Sequence, residues 1–322
     1  MSFLGWFAAQ RTWCLAAAAG TLLVLGGCGR SSQIEPFKAT RFFAFGDETS
    51  LVNPDGSKYT INALKVDDTL DCVADPLWVQ AVANGFGLVF PQCNPTNAAN
   101  PQARTLAAVG AKAADFTAQV DAFVAASTPA DKDLTTVLVG MYDVLELYAQ
   151  YPARGVDDLS TELRSRGAVV GGQVNRLAQL GPAVLVATIP DLGLTPFAQA
   201  EKAAHADTDR AALLTKLTSA FNAGIRLSII NDGRLIGIVL GDDEVQRYVR
   251  FPTSYGFLST PPEATKGAAC LAAAPLPGCN AKTLVTGATA ANYVWADSLR
   301  LSAGAHVHLG AAALSRAVNN PF

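Results

Sequence analysis

The chain has 322 residues, 50% of them hydrophobic, and its 24 Lys and Arg against 27 Asp and Glu leave a formal net charge of −3. That length and apolar share support one large domain with a sizeable core rather than two small ones. A near-neutral balance, with no long run of like charge, excludes the electrostatic footprint of a nucleic-acid-binding protein.

Arg11 precedes "TWCLAAAAGTLLVLGGC", an apolar run of signal-peptide length, short for a membrane span. It closes on Leu25, Gly26, Gly27 and Cys28, and an aliphatic residue, two small residues and a cysteine resemble a bacterial lipobox. The resemblance implies a signal peptide over residues 1–27 and a lipidated Cys28. Residues 28–40 then form a polar tether, and the membrane becomes a partner through the anchor. Each buried CH₂ of such a lipid contributes about 0.8 kcal/mol, and Gly29 after the cysteine points to the outer membrane. The other reading is an ordinary signal peptide that leaves Cys28 as a free thiol.

The cysteines agree with export. Without Cys14 and Cys28, four remain: Cys72, Cys93, Cys270 and Cys279. An even count in an exported chain argues for disulfides. Of the three possible pairings, the one with the shortest loops, Cys72–Cys93 and Cys270–Cys279, is favoured. No CxxC spacing supports zinc, and His205, His306 and His308 form no metal constellation, so neither a metal nor another cofactor is expected.

From residue 41 onward the elements follow in a regular order. "RFFAFGD" reads as a buried strand ending in Gly-Asp. "NPDG" is a turn and "SKYTINAL" alternates like a strand, so a hairpin is expected after the first strand. "DPLWVQAVANGFGL" reads as a short helix from Asp75 to Gly85, and "CNPTNAANPQART" as loop. "TLAAVGA" is strand-like. "AADFTAQVDAFVAAS" is helical, with Phe116, Val120, Phe123 and Val124 on one face. "LTTVLVGMYD" is a buried strand, and "LSTELRSRGAVVGGQVNRLAQLG" a long helix with a soft spot at Gly171-Gly172. "PAVLVATIPDLG" is an apolar strand, "DTDRAALLTKLTSAFNAGIRLSII" a helix and "RLIGIVLGDD" a strand. The stretch 251–291 is loop-rich, "NYVWAD" is extended, and a terminal helix starts after Ser302 as its cap. Apolar strands alternating with helices indicate a parallel sheet covered on both faces, with the site at the carboxyl ends of the strands.

Five blocks in order carry a more specific resemblance: "FAFGDETS", "AVGAKAADFTAQVDAF", "VLVGMYD", "VATIPDLGLTPFA" and "YVWADSLRLSAGAH". Together they resemble the SGNH/GDSL hydrolases, a family of esterases and lipases, over residues 41–322. The resemblance implies a three-layer α/β/α sandwich of flavodoxin-like type with a parallel sheet of about five strands. It also implies a serine nucleophile, a histidine base, an aspartate that orients it, and oxyanion donors that include an asparagine.

Position by position, the chain departs from that pattern in three places. Glu48 stands at the serine, Tyr142 at the third-block asparagine and Arg300 at the histidine, whereas Gly46 and Asp47 of the first block, Gly110 of the second, Gly140 and Asp143 of the third and Asp297 of the last remain. Glu48 has no hydroxyl to activate, and Arg300, a permanently protonated guanidinium, accepts no proton. Tyr142 can donate one hydrogen bond but takes far more room than asparagine. Losing nucleophile or base typically costs about six decades in rate in a serine hydrolase. The expected molecule is therefore an envelope lipoprotein on a hydrolase scaffold, catalytically degenerate, acting by binding or scaffolding.

Other readings stay open at this level. Thr49 or Ser50 with His306 would make a variant esterase acting on lipids or acylated glycans. Glu48 and Asp297 would make a carboxylate pair for glycoside chemistry, or Glu48 a nucleophile toward an acyl group. For Glu48, Arg300 and Asp297 themselves there are two arrangements. Either they form an ion triad in the footprint of the catalytic one, or Glu48 and Arg300 point into solvent from a shallow cleft.

Overall fold

The computed structural model describes residues 37–230 and 233–319. The expected signal peptide and the lipidation site at Cys28 lie outside them. Seven strands and nine α-helices are present among the described residues. The strands are β1 (Arg41–Gly46), β2 (Ala63–Leu64), β3 (Leu70–Asp71), β4 (Ala103–Thr105), β5 (Asp133–Leu138), β6 (Ala183–Ala187) and β7 (Ile236–Val239). The helices are α1 (Trp78–Gly85), α2 (Ala113–Ala126), α3 (Met141–Tyr148), α4 (Val156–Gln179), α5 (Pro196–Ala204), α6 (Arg210–Ser228), α7 (Gly241–Arg250), α8 (Glu263–Lys266) and α9 (Ala303–Val318).

Five of the strands form one sheet in the order β4-β1-β5-β6-β7, and every pair in it is parallel. Counted along this sheet alone the order is 2-1-3-4-5, the flavodoxin-like arrangement. Its topological switch point lies between the first and third strands, here β1 and β5. The fold class implied by the sequence is the one observed. The sheet is covered on both faces: α2, α4 and α6 pack together on one side, and α1 packs against α9 on the other. Side chains alternate along β1. Phe43 and Phe45 meet Phe123 and Phe116 of α2, at ring separations of 4.6 and 5.8 Å, and Phe42 meets Phe90 on the other face at 5.8 Å. Each such fully buried ring contributes roughly 1.5–3 kcal/mol.

Both cysteine pairs favoured from loop length are bonded, with Cα–Cα distances of 5.6 Å for Cys72–Cys93 and 5.9 Å for Cys270–Cys279. The second pair belongs to a small separate core with Ile61, Ala264, Ala269, Tyr293 and Ala296. That core supports the long excursion between α7 and α9. The excursion ends where Ser302 caps α9, its Oγ accepting from Ala305 N at 3.2 Å.

Four local expectations need correction. The hairpin after β1 has its "NPDG" turn, with Gly56 N donating to Asn53 O. "SKYTINAL", however, forms only an isolated bridge at Lys58 and the two-residue β2. The Asn62 side chain takes the backbone partners a ladder would use, accepting from Lys58 N and donating to Lys58 O, Thr60 O and Pro277 O, the local competition that side-chain amides offer to strands. The edge strand β4, Ala103–Thr105, lies at the end of "CNPTNAANPQART", expected as loop, and "TLAAVGA" shares only Thr105 with it. Leu106 N and Ala108 N still donate to β1 carbonyls, and Gly110, at φ +75°, then turns the chain toward α2. "NYVWAD" makes only isolated bridges, at Trp295. The soft spot at Gly171-Gly172 is uninterrupted helix. A Cβ at Gly171 would lie 1.9 Å from Ser228 Oγ, and one at Gly167 would lie 2.1 Å from Phe221 O, so small residues here allow α4 and α6 to pack closely.

Candidate functional site

The site is built at the switch point by the turns that leave β1 and β5. β1 ends on Gly46 at φ +122°, where a Cβ would lie 1.8 Å from Leu138 O. Only glycine fits a backbone that is both left-handed and this close to its neighbour. Gln119 of α2 grips the same residue twice, accepting from Gly46 N at 2.8 Å and donating to Gly46 O at 2.9 Å. A single 3-10 turn follows over Glu48–Ser50, capped by Asp47, whose Oδ1 accepts from Thr49 N at 2.9 Å. This turn fixes Glu48 at the head of β1.

β5 leads to Gly140, where φ is +131° and a Cβ would lie 2.1 Å from the Phe221 ring. α3 begins there and carries Tyr142 in its first turn. Asp143 faces the other way. Its Oδ2 accepts from Ala113 N at 2.8 Å, which satisfies an orphan donor at the start of α2, and its Oδ1 accepts from Arg166 at 3.3 Å. The third-block aspartate is thus a helix cap.

Arg300 comes from the excursion. Asp297 Oδ1 accepts from Leu299 N and Arg300 N at 2.8 and 2.7 Å. This side chain-to-backbone turn is closed by Ala296 N donating to Arg300 O at 2.8 Å. It leaves Asp297 Oδ2 free to accept from Arg300 Nη1 at 2.7 Å.

The three segments meet at the Glu48 carboxylate, which is fully buried. Oε2 accepts from Gly110 N at 2.9 Å. Oε1 accepts from Arg300 Nε and Nη2, at 2.8 and 2.6 Å, and from the Tyr142 hydroxyl. Arg300 Nη2 also donates to Tyr142 Oη at 2.8 Å, and the guanidinium lies 5.8 Å from the centre of the Tyr59 ring. Glu48 therefore does not point into solvent. Arg300 bridges it to Asp297, with about a fifth of the arginine and aspartate side chains exposed.

Burial lowers the Arg300 pKa, but the charges of Asp297 and Glu48 outweigh it and hold the guanidinium above its ordinary value. Burial, the hydrogen bond to Glu48 and the glutamate charge push the Tyr142 phenol well above its usual range. Neither group can take up a proton as a general base near neutral pH.

The other hydroxyl and imidazole candidates do not meet. Ser50 is buried, and its Oγ accepts from Trp78 Nε1 at 3.2 Å. His306 is equally buried. Its Nδ1 accepts from Trp78 N at 3.3 Å, and its Nε2 has no hydrogen-bond partner among the described residues. Neither Thr49 nor Ser50 is therefore hydrogen-bonded to it. Burial, and then the Lys58 charge, hold the imidazole down to about 3. His306 is packed in the core beside Trp78. His308 sits elsewhere, its Nε2 2.8 Å from Tyr255 O. The glycosidase arrangement fails for a different reason: Arg300 occupies the space between Glu48 and Asp297 and binds both.

Two contributions left no mark in the sequence: the buried, partnerless Oδ2 of the retained Asp47 and the grip of Gln119 on Gly46. Asp47 is fully buried with no hydrogen-bond partner for Oδ2. Burial, and then the neighbouring Glu48 charge, push it up to about 7. A Gly-Asp dipeptide ending a strand hints at a cap but not at a carboxyl with a raised pKa. Gln119 carried no sequence signal of its pincer on Gly46.

Asp47 has a measurable consequence. Its folded pKa lies above the ordinary 3.8, so between those values the folded state binds the extra proton. The resulting stabilisation is complete below about pH 4 and is lost as pH rises through about 7. His306, held down to about 3, contributes the opposite slope over much of that range, so the test is the difference between two proteins: in urea unfolding between about pH 4 and 7 the wild type should lose on the order of a few kcal/mol relative to Asp47→Asn. An unchanged slope in the variant would place the proton elsewhere.

Beside the cluster, a groove of about 530 Å³ is lined by Leu106, Ala108, Val109, Gly110, Ala118 and Gln119 among others. It shares Gly110 with the Glu48 site, but Glu48, Tyr142, Asp297 and Arg300 do not line it. Among the described residues no group of His, Cys, Asp and Glu side chains is arranged to hold a metal.

No protein-family profile matches the chain, and no curated protein matches its sequence. Solved structures do resemble it. The Axe2 acetylxylan esterase of Geobacillus stearothermophilus is 12% identical, with 88% of this chain and 96% of that one covered and a TM-score of 0.45. LAE5, an alpha/beta hydrolase enzyme from the metagenome of Lake Arreo, Spain, is 12% identical over 87% and 96% of the two chains, with a TM-score of 0.44. A protein named as a GDSL-like lipase from Parabacteroides merdae is 12% identical over 88% and 97%, with a TM-score of 0.43. The likeness is one of fold and transfers no chemistry.

Proposed function

We propose that this chain is a catalytically silent protein on an SGNH/GDSL hydrolase scaffold, acting at the cell envelope by binding or organising other components. The observation that carries this reading is the Glu48 carboxylate, fully buried at the head of β1 with donors on both oxygens. Hydrolysis by acyl transfer needs an activated nucleophile and a base near neutral pKa. The position next to Gly110 and Tyr142 holds instead an anion locked to a cation. The soluble domain is expected to release no p-nitrophenol from p-nitrophenyl acetate above the buffer rate. Turnover that disappears on Ser50→Ala or His306→Ala would instead establish a variant esterase.

The envelope placement rests on the apolar run ending at Cys28. We expect the full chain to partition into detergent on phase separation and Cys28→Ser to move to the aqueous phase. Equal partition of the two would remove the lipid anchor from the account. Lipids, acyl esters and acylated glycans are the ligand classes that suit such a scaffold at a membrane.

A further inference from the structure

We infer that the cluster at the head of β1 is a carboxylate receptor whose occupant is the chain's own Glu48 side chain. This rests on the silent-site reading above and adds to it the chemical class of ligand that the site takes.

The donors are held in place by groups other than the carboxylate they bind. Asp297 Oδ2 fixes the far side of the Arg300 guanidinium through Nη1, which leaves Nε and Nη2 as a fork toward Glu48. Tyr142 is positioned by α3 and by the tight packing of Gly140 against Phe221. The Gly110 N–H is presented by a turn in which Ala111 N donates to Ala108 O at 3.3 Å. A backbone N–H on one oxygen, with a phenol and two guanidinium N–H groups converging on the other, gives both oxygens of a carboxylate donors and one of them a charged partner. It is also the state in which ester hydrolysis leaves an acyl group, a carboxylate resting among donors built for an oxyanion. Glu48 thus acts as a tethered product analogue and keeps free acyl carboxylates out while it is seated.

The size of the expected ligand follows from the side chain. Glu48→Ala removes Cγ, Cδ and the two oxygens, the heavy atoms of one acetate ion. A preformed site vacated in this way should accept acetate or formate and reject a branched carboxylate such as pivalate.

The test is thermal melting and titration calorimetry of wild type and Glu48→Ala in sodium acetate, formate, pivalate and chloride at matched ionic strength. The expected result is a saturable rise of several degrees in the variant's Tm with acetate and formate, half-complete in the millimolar range. Pivalate and chloride should have no effect, and the wild type should not respond. Adding Tyr142→Phe to Glu48→Ala should weaken the acetate response several-fold. Equal responses to acetate and chloride, or a wild-type response as large as the variant's, would overturn the proposal.

Should Glu48→Ala not fold alone, the readout becomes refolding yield with each salt present. Recovery with acetate but not chloride supports the receptor, and failure with every salt overturns it. The two readings fail separately. Acetate rescue in a protein whose wild type hydrolyses esters would refute the silent site and keep the receptor. A hydrolytically inert wild type whose variant ignores acetate would refute the receptor alone.

Discussion

Arg300→Met should destabilise the protein by about 3–5 kcal/mol, the usual cost of removing one partner from a buried ion pair. The structure explains why the effect belongs at this end of the range of single substitutions. Glu48 is fully buried beside Asp47 and loses both of its Arg300 hydrogen bonds. It keeps Gly110 N and the Tyr142 hydroxyl, which satisfy hydrogen-bonding capacity but supply no counter-charge. Asp297 lies at the edge with about a fifth of its side chain exposed, so it can turn to water and contributes less to the loss. The control is the double variant Glu48→Gln/Arg300→Met. With the buried anion gone, much of the cost should vanish, and the coupling measured by the double-mutant cycle should be 1 kcal/mol or more, roughly the scale of contacting pairs. Additive effects of the two substitutions, measured by urea unfolding, would mean that the pair does not act as a unit.

Several features of this site were legible in the sequence, for identifiable reasons. The apolar run of β1 stops at Gly46-Asp47, and a strand that ends in this way in a parallel sheet delivers the next side chain to the ligand-binding edge. An acid placed there beside a retained aspartate calls for a cation, and Arg300 stands three residues after Asp297, within reach of both. The disulfides were legible because, of the three pairings open to four cysteines, the shortest loops favour the one that forms.

What was not legible depends on tertiary contacts that no local pattern encodes. Lys58 read as part of a strand, yet it is fully buried with its ammonium donating to the carbonyls of Cys72, Ala74 and Asp75 at 3.3, 2.8 and 2.7 Å. Burial lowers its pKa to about 8, against the opposing charges of Asp75 and Asp71. A lysine that binds main-chain oxygens of a distant loop leaves no trace in alternation or charge spacing. The same holds for Asp47. Its raised pKa follows from full burial next to Glu48, and burial of a polar residue at a strand end is set by what packs over it. Gly171 read as a weak point because glycine lowers helix propensity. Its use, the close approach of α4 to α6, belongs to a pair of helices rather than to one.

If Glu48 and Arg300 sit in the seats of a nucleophile and its base on an otherwise intact frame, restoring those side chains should restore hydrolysis. The most direct measurement is p-nitrophenyl acetate hydrolysis by wild type and by the triple variant Glu48→Ser/Tyr142→Asn/Arg300→His. In the variant the hydroxyl at 48 would face an imidazole at 300 held by Asp297, with Gly110 N and the amide at 142 as oxyanion donors. The wild type should stay at the buffer rate and the triple variant should exceed it, with no activity in any of the three single variants. Losing either nucleophile or base costs about as much as losing the whole triad, so no single change suffices. A folded triple variant that stays at the buffer rate, or a wild type that turns over ester unaided, would contradict the claim.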